Sequence, residues 1–215
     1  MDGFTGTKER IFDTFIEMTS GLGYENVSIR DITNRLGLKP ASLYNHFASK
    51  DDLLDAVYAY YTSHLFDNRK SADTMKKMLM EDSAENIVFT LAYTFVCDDL
   101  KKYTRMILTT KIIYMRLFQD QGANSIYMDA YKNNFEYVSD IMKYGVDAGR
   151  VDPGFDYETF AGVLIGANHI MGINAFARPE YAVGQLDEQN KILRLLAQLL
   201  NTALISTDRI CVNML

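Results

Sequence analysis

At 215 residues with 48% apolar side chains, the chain is long enough to bury one large core or two modest ones. Its net charge of −6 argues against a uniformly basic nucleic-acid binder, but residues 1–50 hold six Lys/Arg and six Asp/Glu, so the remaining 16 basic and 22 acidic residues put the whole excess later in the chain. The two cysteines, Cys97 and Cys211, stand far apart with no C-x-x-C spacing, which argues against a disulfide framework or a zinc site. The opening MDGFTGTKER lacks the basic-then-apolar order of a signal peptide, so a cytoplasmic protein is expected.

From Thr7 the sequence reads as helix almost throughout. Ile11, Phe15, Met18 and Leu22 form an apolar stripe broadened by Phe12 and Ile16, and Gly21 to Gly23 end it. Lys8 and Arg10 occupy the first turn, where cations oppose the helix dipole; a solvated surface and a neighbouring phosphate both account for them. Ser28 with Asp31 has the form of a capping box and predicts a helix of about nine residues, with Ile29, Ile32 and Leu36 inward and Gly37 as its left-handed stop. Pro40 suits the first turn of a helix to Phe47, in which Leu43 and Phe47 face inward and Ser42, Tyr44, Asn45 and His46 outward. Ser49 and Asp52 repeat the box and open a connector helix, Asp51 to Phe66, with Leu53, Leu54, Val57, Tyr58, Tyr61 and Leu65. Two short helices joined by a glycine turn have the layout of a helix-turn-helix, although a plain helical corner has the same spacing.

The polar stretch from Asp67 to Asp73 marks a boundary, giving a helix-turn-helix domain over 1–50, a connector over 51–70 and a larger domain over 71–215. Met75, Met78 and Leu79 suggest a short helix; Ala84 to Val96 gives another, and Asp98 and Asp99 restart the pattern towards Tyr114. Gln121 and Gly122 read as a loop before a helix from about Asn124 to Asp147, which Gly145, Gly149 and the turn Asp152-Pro153-Gly154 end. The last two helices, about Tyr157–Arg178 and Asp187–Thr207, are apolar over most of their circumference, and Gly162, Gly166 and Gly172 in the first invite close helix approach. They are expected to pair with their symmetry mates as a twofold homodimer built on a four-helix bundle. Thr159 to Ala177 carries no formal charge over 19 residues, but Asn168, His169, Asn174 and three glycines suit a buried helix, and no membrane partner is expected. The fold class is thus all-α, with about nine helices.

The run GLKPASLYNHFASKDDLL, Gly37 to Leu54, resembles the DNA-binding signature of the TetR family of bacterial repressors, and the likeness extends from about Thr7 to Tyr61. Beyond Tyr61 only the number and length of helices agree. The resemblance implies a regulator that binds a palindromic double-stranded operator as a dimer and is released by a small-molecule effector, which moves the connector helix. On the matching positions it places Ser42 and Asn45 as base readers and Lys39, Tyr44, His46 and Lys50 on phosphates, with Ser28 and Thr33 as further phosphate contacts. Twelve of the 14 tyrosines and most of the 11 methionines lie after residue 50, as an adaptable effector pocket requires, and Tyr93, Met106, Tyr114, Tyr131, Phe135 and His169 are its candidate lining. The same residues at helical spacing equally suit a core. The three histidines are dispersed and no nucleophile, metal or phosphate-loop motif is present, so no catalytic activity, cofactor or metal is expected. The competing class is a helical scaffold with a vestigial helix-turn-helix.

Overall fold

The computed structural model describes residues 5–92, 99–177 and 182–206, and their side chains outside 174–189. Among the described residues ten α-helices and one 3₁₀ turn carry the fold, and extended backbone pairs only at a single bridge between Val151 and Leu204. The chain divides into two compact units. The first comprises the described parts of Met1–Asp67 and Phe95–Met128, the second those of Asn68–Thr94 and Asp129–Leu215.

In the first unit, α1 (Gly6–Leu22) buries Ile11, Phe12, Phe15 and Ile16 completely or nearly so. The expected stripe stops short of its end, because Met18 is half-buried and Leu22 is 56% exposed. A 3₁₀ turn at Tyr24–Asn26 leads to α2 (Ile29–Leu36). The capping box forms as the spacing requires: the Asp31 amide donates to Ser28 Oγ at 3.2 Å, and the Ser28 amide to Asp31 Oδ2 at 2.9 Å. Gly37 ends α2 at φ +66°, a conformation that disfavours any side chain.

The next helix, α3 (Pro40–Tyr44), is shorter than the sequence suggested. It tightens into turns in which the amides of His46 and Phe47 both donate to the Leu43 carbonyl, at 2.9 and 3.0 Å. α4 (Lys50–His64) starts from Ser49, whose hydroxyl accepts the Asp52 amide at 3.0 Å; the Asp52 carboxylate caps the Ala48 amide at 2.7 Å instead of Ser49's own.

α7 (Leu100–Arg116) packs on α1 and α4, burying Met106, Ile112 and Ile113. It therefore belongs with the amino-terminal helices, whereas the sequence pattern grouped it with everything after residue 71. α8 (Gln121–Asp147) begins three residues before the expected start and runs from the first unit into the second. Gln121 and Gly122 are helical because Asp120 caps the turn, accepting the Ala123 amide at 2.9 Å.

The second unit contains α5 (Ala72–Glu81), α6 (Ala84–Ala92), the rest of α8, α9 (Tyr157–Ala177) and α10 (Ala182–Ala203). Met75, Leu79, Ile87, Val88, Ile141, Met142, Phe160, Leu164, Leu193 and Leu200 form its core. Gly145 lies where a Cβ would stand 2.6 Å from Leu79 Cδ2 and 2.7 Å from Val151 Cγ2, so the close approach there needs glycine. Among the described residues the expected close approach is not made at two of the three α9 glycines: a Cβ on Gly166 would meet nothing within 4 Å, and one on Gly162 would only touch Phe135 at 4.0 Å. Among the described residues no helix is long and apolar enough to cross a membrane.

Candidate nucleic-acid interface

The α2–α3 pair separates an inner apolar side from an outer polar one. Leu43 is fully buried and Phe47 is 3% exposed, while Tyr44 is 53% exposed and Asn45 and His46 are exposed beside it. Ser42 is half-buried and Lys39, the residue that opens α3, is exposed. Ser28 is exposed, but its hydroxyl is already engaged with Asp31 Oδ2 at 2.5 Å. The hydrogen bonds from the Ser28 hydroxyl and then its amide hold the Asp31 carboxyl below the usual carboxylate range.

One of the eight expected DNA contacts needs correcting, and a second has a partner within the chain. Thr33 is completely buried and its hydroxyl donates to the Arg30 carbonyl at 3.1 Å, so no phosphate reaches it. Ile32 and Thr33 both face inward because so short a helix is covered on more than one stripe. Lys50 is half-buried and turned back into the fold. Its ammonium donates to the Tyr24 carbonyl at 3.0 Å and lies 4.0 Å from the centre of the Tyr24 ring. The cations of α1 also have protein partners: Lys8 sits over the Phe47 ring at 5.3 Å, and Arg10 donates to the Leu36 carbonyl at the end of α2 at 3.5 Å.

Sequence reasoning passed over the groups that hold this surface from beneath. Tyr24 also carries the Arg116 guanidinium at 4.3 Å, and its hydroxyl donates to Asp51. Burial, then the Asp51 carboxylate, push the Tyr24 phenol upward, so it stays a neutral donor. Arg116 donates to Asp120 at 2.7 Å and to the Tyr58 hydroxyl at 3.3 Å; burial pushes the Tyr58 phenol up to about 12. These partners lie between 4 and 92 residues apart, and no short-range pattern joins the distant ones. Arg30, exposed in the first turn of α2, is a further cation on this side of the sequence that the spacing argument did not single out.

The effector candidates fall in separate places. Tyr131, Phe135 and His169 come together in the second unit: the Tyr131 and Phe135 rings stack at 6.4 Å, and His169 meets Tyr131 edge-on at 6.1 Å. Burial holds the His169 imidazole below its ordinary value. Met106 and Tyr114 belong to the first unit, where Met106 is buried and Tyr114 meets Tyr127 edge-on at 5.9 Å. Tyr93 lies outside the described residues. A cleft of about 310 Å³ in the second unit is lined by Asn68, Lys70, Asn86, Phe89 and Thr90, none of them among the six. Among the described residues no cluster of His, Cys, Asp or Glu could hold a metal ion.

The sequence profile of bacterial regulatory proteins of the tetR family matches residues 11–57, the stretch that forms the helices just described. The HTH-type transcriptional regulator SrpR of Pseudomonas putida is 22% identical over 160 residues, 74% of this chain and 70% of that protein. The negative transcriptional regulator IcaR of the biofilm operon icaADBC of Staphylococcus aureus is 28% identical over 99 residues, 46% of this chain and 50% of that one. A transcriptional regulator from Saccharomonospora viridis, solved in complex with choline, superimposes with a TM-score of 0.60 at 20% identity over 89% of this chain and 95% of that one, a likeness of fold. Those relatives are regulators, not enzymes. Residues 11–57 thus form the amino-terminal helix-turn-helix domain of the tetR family of bacterial regulatory proteins.

Proposed function

We propose that the protein is a repressor that binds a palindromic operator as a homodimer and leaves it when a small molecule binds the second unit. The exposed surface of Tyr44, Asn45 and His46 over the buried Leu43 and Phe47 carries the DNA-reading part. Ser42 and Asn45 read base edges from the major groove, while Lys39, Tyr44 and His46 hold phosphates. Ser28 contributes through its cap of α2 and Lys50 through Tyr24, and Arg30 supplies a further cation.

The dimer reading is supported by an apolar surface that the chain leaves open. Val163, Ile170 and Ile173 on α9 are 48–60% exposed, and Ile192, Leu195 and Leu199 on α10 are 43–66% exposed. A second copy of these two helices would cover them in a four-helix bundle, and Gly162 and Gly166, open on this chain, leave room for it. For the effector, Tyr131, Phe135 and His169 offer an aromatic wall with one polar edge, and the choline-bound neighbour supports a small-molecule site in this fold.

Selection from a pool of randomised duplexes tests the reading directly. The expected result is an inverted repeat bound by two chains; a pool without enrichment would sink it in favour of a scaffold. A second copy whose half-sites lie one helical turn apart fits the geometry of paired readers.

A further inference from the structure

The reading helices rest on α1, and α1 is fastened to α7 by a buried charge outside the matched stretch 11–57. Arg105 on α7 has a side chain only 7% exposed. Its Nε donates to Asp13 Oδ1 at 2.7 Å, and its Nη2 to Asp13 Oδ2 at 3.0 Å and to Glu9 Oε1 at 2.8 Å. The rings of Phe12 and Tyr60 each stand 5.9 Å from the guanidinium. Lys101, one turn earlier and half exposed, reaches the same two carboxylates at 2.6 and 3.7 Å.

A guanidinium in such a place is poorly explained by stability alone, since an apolar side chain of similar volume often serves a core as well or better. What the fork adds is geometry. A planar guanidinium bonded to Asp13 by two N–H groups of one edge fixes both the distance and the rotation of α1 on α7, which an apolar seam would leave free to slide. α1 passes that setting on, because it packs against α2 and Arg10 holds the end of α2 through the Leu36 carbonyl. We propose that Arg105 is a positioning residue for DNA binding: it touches no DNA, and it fixes α1, with α2 and α3 above it, in one rotational setting on α7.

The test rests on the paired-reader proposal above. The duplex selected from the random pool is compared with a duplex carrying one half-site, at a temperature where circular dichroism shows every variant folded. Arg105→Met and the milder Asp13→Asn should weaken full-site binding about tenfold or more while changing half-site binding about twofold or less, a loss within the ordinary range of coupling between sites. Arg105→Lys, which keeps the charge without the fork, should fall between Met and wild type. Equal weakening on both duplexes, or none on either, would overturn the proposal, since a merely loosened core weakens both alike. A wild-type chain that binds both duplexes equally would sink the paired reading instead; Arg105 is then judged on the single site, where unchanged affinity of Arg105→Met overturns its role.

Discussion

α2–α3 and α9–α10 are both neighbouring helix pairs, yet they are specified by opposite means. The first is short and punctuated: a capping box, a left-handed glycine, a proline in the first turn and two inward apolar residues settle it within about twenty residues. The second is long and apolar over much of its circumference. The core takes Phe160, Leu164, Leu193, Leu196 and Leu200, while Val163, Ile170, Ile173, Ile192, Leu195 and Leu199 are left facing out. A short polar pair is completed by its own backbone chemistry. A long apolar pair leaves exposed a surface that the proposed second copy would cover.

The largest expected effect comes from breaking that contrast on the apolar side. Leu195→Glu or Ile170→Glu puts a charge into the proposed seam and should leave monomers in light scattering, with operator affinity down on the order of a hundredfold as avidity is lost. Unchanged dimers would place the partner surface elsewhere. On the polar side, Asn45→Ala should cost about 1–3 kcal/mol of discrimination at one base position, whereas Lys39→Ala should weaken all sequences alike and lower the salt slope by about one. Both should melt like wild type, since neither side chain is buried. Binding titrations on the selected duplex and on single-base variants separate the two.

The same contrast explains what the sequence could reveal. Ser28–Asp31, Ser49–Asp52 and Gly37 were legible because each feature closes over a few residues, and the all-α class followed from periodicity alone. The partner that Lys50 has within the chain, Tyr24, could not be foreseen because it stands 26 residues earlier. Thr33 was misread because in an eight-residue helix a residue next to the main stripe is also covered. Arg105 was passed over because a charge in a helical pattern reads as solvated face until the carboxylates 92 and 96 residues away are seen around it. The loop expected at Gln121-Gly122 came from composition, which Asp120 overrides with a cap. The effector site was the least legible, since a tyrosine or methionine at helical spacing looks the same whether it meets a ligand or a neighbouring side chain.

Two substitutions sharpen the comparison through stability. Gly145→Ala forces a methyl against Leu79 and Val151 inside the second core and should cost about 1–3 kcal/mol, read as a lower midpoint in thermal or urea unfolding with DNA contacts untouched. Ser28→Ala removes the α2 cap and should cost about 1 kcal/mol. It should also raise hydrogen exchange in the first turn of α2 specifically. Exchange spread evenly over the first unit would mean that α2 is held by packing more than by its cap.

The smallest expected effect concerns His169 and tests how far its half-buried imidazole is shielded from water beside Tyr131 and Phe135. Burial holds this imidazole below its ordinary value near 6.5, so the folded chain keeps it neutral where the unfolded chain already takes a proton. Above that value the group is neutral in both states and contributes nothing to the pH dependence. As the pH falls through it, the unfolded state binds more protons and stability declines, with a slope of at most about 1.4 kcal/mol per pH unit until the folded group titrates too. At about pH 6 the loss is therefore under about 1 kcal/mol. Melting curves from about pH 7.5 to 5.5 should show a steeper decline for wild type than for His169→Phe, which keeps a ring against Tyr131 but cannot take a proton. Parallel declines would show that water reaches the imidazole freely, so the half-buried wall formed with Tyr131 and Phe135 would not shield it.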